Sequence, residues 1–335
     1  MFHNWIDLAE PLHLLRRIRR DPFLRERLLK KFHLSTGARV AASWAHTESP
    51  TTNWGDIPAV QARWNKMISG DAATRHEQYV VAKYAGGRDR LTALSPGCGT
   101  GSREIYWAQT GKFDSIDACD LSGERIRAAI RSIGNTREAS ILRYRVADIF
   151  DLGLPPSYYD IVLFEHSLHH LSPLEPLLLR IKGALKPGGL LVANEFIGPS
   201  RFQWTDRQLA VVNGLLHAFP SEYTSLVHSR LPRLEAVRPS KLAMWLSDPS
   251  EACESSNIIP LLQKHFRVKE FRGYGGAILH LLFAGIAHHF INTDGVGQTL
   301  LDFSFAVEDL LLDLHEIDHD FALVVCANEG VPSAS

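Results

Sequence analysis

Cysteine is scarce in this 335-residue chain: Cys98, Cys119, Cys253 and Cys326 are scattered, with no CxxC pair. That pattern excludes a disulfide framework and fits reduced thiols in a cytoplasmic protein. Charge imbalance is missing too. The 36 Lys and Arg nearly balance 37 Asp and Glu, for a net charge of −1. Bulk electrostatics therefore give no reason to expect a nucleic-acid partner. No apolar run is long enough to span a bilayer. The most apolar later stretch, 277–291, carries His280, His288 and His289 and reads as a buried helix. The first residues place acids before arginines and lack the order of a secretory leader. Internal repeats and low-complexity tracts are absent. No Gly-Lys-Ser or Gly-Lys-Thr follows the glycine-rich stretch, which excludes a Walker phosphate loop.

What is present is an ordinary globular composition, 45% hydrophobic and 22% charged, with enough apolar surface for a core. Residues 1–88 read as a helical N-terminal cap, broken by a loop around 49–58. The basic run 12–32 reads as a helix with one packed and one solvated face. Trp54, Arg63, Trp64 and Asn65 form either a helical lid or, for Trp64, part of the core. From 89 to 196 the character changes. Strand-like runs at 91–94, 116–119, 141–147, 159–164 and 190–193 alternate with helical patterns such as 123–133 and 174–185. That alternation predicts an α/β fold with a doubly wound, mostly parallel sheet, whose ligands sit beyond the carboxyl ends of the strands. Residues 197–262 read as an inserted loop and helical cap. Residues 263–335 read as the last core strands, 266–271 and 321–327, around a helical insertion at 277–291 and 300–315.

Leu94 and Ser95 lead into Gly97, Cys98, Gly99, Thr100 and Gly101, between a strand and a helix. Such glycines let backbone turn tightly and approach a ligand. Asp120, with Leu121 beside it, ends the next strand, where a carboxylate can accept from both ribose hydroxyls. Asp148 ends the third, placed to accept from an adenine amino group. Three strand ends in series describe an adenosine-shaped site.

At these residues the chain resembles the class I S-adenosylmethionine-dependent methyltransferases. The glycine loop is similar to that family's GxGxG loop, Asp120 to its ribose-binding acid, and Ala147, Asp148 and Ile149 to its adenine-contacting segment. Tyr159, Asp160, Ile161 and Val162, then Ser167, Leu168, His169, His170 and Leu171, are similar to its fourth strand and the segment after it. Lys186, Pro187, Gly188 and Gly189 are similar to the turn before its fifth strand. The resemblance spans about 90–196. It implies a seven-stranded sheet with an antiparallel last strand, S-adenosylmethionine as cofactor, and methyl transfer to an oxygen or nitrogen of a small-molecule acceptor. No Asn-Pro-Pro-Tyr motif follows strand four, which weighs against nucleic-acid bases as acceptors. One departure stands out: the acid expected two positions before the first loop glycine is Ser95. Its role passes to a backbone carbonyl, to water or to Glu165. That departure also keeps open a catalytically inactive methyltransferase-like binding domain. An NAD(P)-dependent oxidoreductase is the other alternative, disfavoured by Ser102 at the sixth loop position, where glycine or alanine is needed.

Methyl transfer from an activated donor asks the protein mainly to align the acceptor and exclude water. Where a base is needed, His166, His169 and His170 at the end of strand four are candidates, because imidazole titrates near neutrality. Equally, His169 and His170 can simply pack the next helix. Glu195, ending strand five, can orient or deprotonate an acceptor. Arg201 can hold a carboxylate, and Trp204 can pack against the acceptor or in the core. No motif supplies a third metal ligand beside these histidines or beside His315 and His319, so no metal is expected.

Overall fold

A computed structural model describes residues 53–227 and 231–329. The basic run 12–32 and most of the N-terminal helical cap lie outside the described residues. In chain order, helices α1 (Pro58–Ser69) and α2 (His76–Val80) precede strand β1 (Leu91–Pro96). Next come α3 (Ser102–Gln109), β2 (Phe113–Asp120), α4 (Gly123–Ile133), β3 (Leu142–Val146) and β4 (Tyr159–Glu165). Helix α5 (Leu174–Ala184) runs into β5 (Leu185–Phe196). Then follow α6 (Asp206–Ala218), α7 (Lys241–Ser247), α8 (Ile258–His265), β6 (Arg267–Gly273), α9 (Leu279–Phe283), α10 (Gly295–Asp313) and β7 (Phe321–Ala327).

The strands form one seven-stranded sheet in the order β3-β2-β1-β4-β5-β7-β6. Strands β1 to β5 pair in parallel, and β7 runs antiparallel to both β5 and β6. Alternate residues feed two apolar layers. Ala93, Ile161, Leu163 and Val192 pack on one face, with Trp107 and the late helices. Leu94, Val162, Phe164 and Leu191 pack on the other, against α5 and α8. A strand buried on both faces needs apolar residues at every position, which is why the strands read as continuous runs. All seven residues of β4, and all seven of β7, are buried.

Two elements differ from the sequence reading. The 277–291 stretch is buried but is not one helix. Gly285 adopts φ +77°, which breaks α9 from a 3₁₀ turn at Ala287–Phe290. Strand β5 begins five residues earlier than 190, because Leu185 already pairs with Tyr159; the ladder then shifts and resumes at Ile161 with Leu190. Lys186, Pro187, Gly188 and Gly189 are thus a bulge within the strand edge rather than a turn before it.

Candidate active site

The carboxyl ends of β1 to β4 open onto a cavity of about 470 Å³. The loop after β1 shapes its floor. Gly97 N–H donates to the Cys119 carbonyl at 2.7 Å, and Gly101 N–H to the Cys98 carbonyl at 3.0 Å. Gly97, Gly99 and Gly101 all have positive φ. A Cβ on Gly97 would also lie 2.8 Å from the Cβ of Ser167, so only glycine brings this backbone against the β4 loop. Asp120 accepts from Gly99 N–H at 2.9 Å and from Ser122 N–H at 2.8 Å. Asp148 accepts from Phe150 N–H at 2.9 Å. Both carboxylates are thus held by backbone donors and kept in place.

The structure brings together Gly97, Asp120, Leu121, Asp148, Ile149, His166, His170 and Arg201, all on the cavity wall. Cys98, Gly99, Thr100 and Gly101 complete the loop behind Gly97. Five candidates lie elsewhere, His169 among them. Ser95 is buried under the loop, and its hydroxyl donates to Glu104 at 2.7 Å. Glu165 turns away from the cavity into a buried network. It accepts from Trp107 Nε1 at 2.8 Å and from Asn194 Nδ2 at 3.0 Å, and it pairs with His76 Nε2 at 2.9 Å. Glu195 is fully buried. One oxygen accepts from Ser167 N–H and Leu168 N–H, both at 2.6 Å, and the other meets His169 Nδ1 at 2.6 Å. Trp204 stacks on Phe202, with ring centroids 5.0 Å apart and planes 4° from parallel, inside an aromatic cluster with His280. Ser95, Glu165 and Glu195 each find a buried polar partner, which offsets the cost of burying the side chain away from the cavity.

The histidines separate in role. His166 lines the cavity with φ +55°, a backbone state rarely held by a non-glycine residue without support from its surroundings. Burial lowers its pKa to about 3, so it presents a neutral imidazole. His169 sits behind the wall on Glu195, and His170 lies on it.

The sequence reading missed Glu104 under the loop, Arg125 and Ser167 on the cavity wall, and Pro249, Ser250 and Cys253, which close the cavity from the inserted segment. Glu104 carried a signal. It stands in the first turn of α3, where helical side chains lean back toward the N-terminus and so under the loop. Burial raises its pKa to about 7, the Ser95 hydrogen bond opposing. A carboxyl group therefore stands beneath the glycine loop although the strand itself offers serine. The 249–253 stretch carried no comparable signal.

A mostly parallel sheet with a reversed β7, whose first three strand tips converge on one cavity, defines a Rossmann-like nucleotide-binding domain. Residues 94–193 match the family described as "Methyltransferase domain". Over that segment the chain carries a methyltransferase domain and is similar to the class I S-adenosylmethionine-dependent methyltransferases. An uncharacterized methyltransferase of Mycobacterium tuberculosis is 30% identical over 107 residues, 32% of this chain and 51% of that protein. Erythromycin 3''-O-methyltransferase of Saccharopolyspora erythraea is 27% identical over 139 residues, 40% of this chain and 44% of that protein. Among solved structures, phosphoethanolamine N-methyltransferase 2 of Haemonchus contortus, in complex with S-adenosyl-L-methionine, is similar at 14% identity. Its TM-score is 0.49, over 88% of this chain and 60% of that one. The chain spans about half the length of the first curated relatives it matches.

The residues present fit the family's cofactor. Asp120 and Asp148 share one cavity with Gly97. The Ser167 hydroxyl, buried on that wall, has no hydrogen-bond partner among the described residues, and a buried hydroxyl left unpaired calls for a ligand.

Proposed function

We propose that the protein transfers a methyl group from S-adenosylmethionine to an oxygen or nitrogen of a small molecule. One observation carries this reading: a single cavity is walled by the strand-end acids Asp120 and Asp148 and by His166, His170 and Arg201. Its volume lies within the range of small-molecule sites, roughly 300–1,000 Å³. When bound, S-adenosylmethionine supplies a methyl group already activated on a sulfonium. Asp120 takes the ribose hydroxyls, Asp148 and Ile149 take the adenine, and the loop from Gly97 to Gly101 takes the amino-acid end. His166 faces the acceptor as a neutral imidazole that can accept a hydrogen bond from it, its lowered pKa making it a weak base. Arg201 offers a guanidinium to an acidic group of the acceptor, while its own Nη1 is anchored on the Glu251 carbonyl at 3.1 Å. His169 and Glu195 act as positioning residues, fixing the 166–170 segment through the Ser167 and Leu168 amides. The inserted segment at 249–253 excludes water from above.

Isothermal titration of the full chain with S-adenosylmethionine tests this reading. Micromolar binding is expected, with Asp120→Ala and Asp148→Ala each weakening it by about 1–3 kcal/mol through unpaired polar groups on the ligand. Because Asp120 braces Gly99 and Ser122 whereas Asp148 braces Phe150, the Asp148 variant leaves the glycine loop's own hydrogen bonds intact. No binding at millimolar concentration leaves a scaffold domain instead.

A further inference from the structure

Helix and loop from two distant parts of the chain place three metal-type donors beside the cavity. His169, His170 and Glu251 each offer a ligand atom, and these atoms all lie within 4.8 Å of one another. We propose that they form a binding site for a divalent transition-metal ion of the zinc class, set in the wall of the cofactor cavity. The inference goes beyond methyl transfer and does not depend on it.

The separations point to an ion. His169 Nε2 stands 3.7 Å from one Glu251 oxygen, and His170 Nδ1 stands 3.9 Å from the other. Both gaps are too long for a hydrogen bond. They match the spacing of ligand atoms that each lie about 2.0–2.2 Å from a shared zinc ion. The neighbouring carboxylate adds an independent observation. Glu195 accepts at His169 Nδ1, 2.6 Å away, while its own position is fixed by two backbone amides. With the proton of the neutral ring on Nδ1, toward Glu195, Nε2 has its lone pair on the Glu251 side. A carboxylate behind a ligating histidine, setting its tautomer and orientation, is the usual outer support of a metal site.

Side-chain exposure is 9% for His169, 18% for His170 and 21% for Glu251. The cluster is thus sheltered while keeping an edge toward the cavity, which His170 itself lines. Two imidazole nitrogens and one carboxylate suit zinc, iron or manganese better than magnesium or calcium, which prefer all-oxygen shells. Glu251 and Glu195 together balance the charge of a divalent cation. Three protein ligands leave a coordination position for water or for a hydroxyl or carbonyl oxygen of an acceptor. The cluster joins the β4 loop to the inserted cap, so a bound ion would also fasten the cap over the cavity.

The test uses the full chain, stripped with a chelator, dialysed, and titrated with zinc chloride by calorimetry. One zinc per chain at micromolar affinity or tighter is expected. Glu251→Gln and His170→Ala should each weaken binding at least tenfold, while His315→Ala, at an exposed histidine, should leave it unchanged. Zinc should also raise the melting temperature of the wild type and not that of Glu251→Gln. Circular dichroism confirms that each variant is folded. Absence of stoichiometric zinc binding overturns the proposal, as does binding that survives both ligand substitutions. Either result would make the cluster a proton-bridged histidine–carboxylate group.

Discussion

Glu104 brings a carboxyl group under the glycine loop from outside the strand. The strand offers Ser95 where the family it resembles places an acid, yet a carboxyl group is present, reached from the first turn of α3. It is fully buried and its pKa is raised to about 7. A carboxyl group whose folded pKa exceeds its unfolded value holds its proton in the native state while the unfolded chain has lost it. Its contribution to stability is complete below about 4.5 and is lost as pH rises toward 7. Wild-type protein should therefore lose more stability than Glu104→Gln between pH 5 and 8. Melting temperatures of both proteins across that window check this, and equal slopes would show that Glu104 does not titrate there. Position 95 could not reveal this arrangement. The compensating residue is nine positions away, and only the turn of the helix brings it back.

At the scale of elements, α2 is tied to the sheet by its first residue. His76 pairs with Glu165 at the tip of β4; Trp107 from α3 and Asn194 from β5 share the same carboxylate, and Tyr274 donates to Asn194 at 2.6 Å. Burial alone would raise the Glu165 pKa, but the charge and hydrogen bond of His76 hold it well below the usual carboxylate range. Removing His76 leaves a buried charge without its partner. His76→Ala should cost about 3–5 kcal/mol in urea unfolding, and Glu165→Gln in that background should recover part of the loss. A double variant no better than the single one would show that the cost comes from packing against Trp107 rather than from charge. From the sequence, Glu165 is, alongside a backbone carbonyl and water, a replacement for the acid absent at Ser95. Partners from three other elements, none adjacent in sequence, draw it inward.

Over the whole molecule, the chain leaves the sheet after β5, builds the cap and late helices, and returns with β6 and β7. Strand β7 inserts between β5 and β6 and is buried along its length. It closes the core on both faces: Leu323 and Val325 join one layer, Val324 and Cys326 the other. Leu323→Ala should destabilise the protein by about 2–5 kcal/mol, measured by chemical denaturation, because a rigid strand cannot collapse into the void. A loss below 1 kcal/mol would show that the late helices follow the strand inward. Among the described residues no helix is long and apolar enough to cross a membrane.

The sequence by itself determined the sheet's composition, the glycine loop and the acids at the strand tips. These rest on short-range rules: alternating burial along a strand, glycine where φ is positive, a polar residue where a strand ends. Helix Gly123–Ile133 and strand Phe321–Ala327 were legible to the residue for the same reason. The tertiary structure alone decided which polar side chains face the cavity. His166 and Arg201 reach it, whereas Glu165 and Glu195 are claimed by buried partners and Trp204 stacks on Phe202. It alone set Glu251 against His169 and His170. Such choices depend on which distant groups compete for each hydrogen bond once water is excluded, and no local pattern along the chain records that competition.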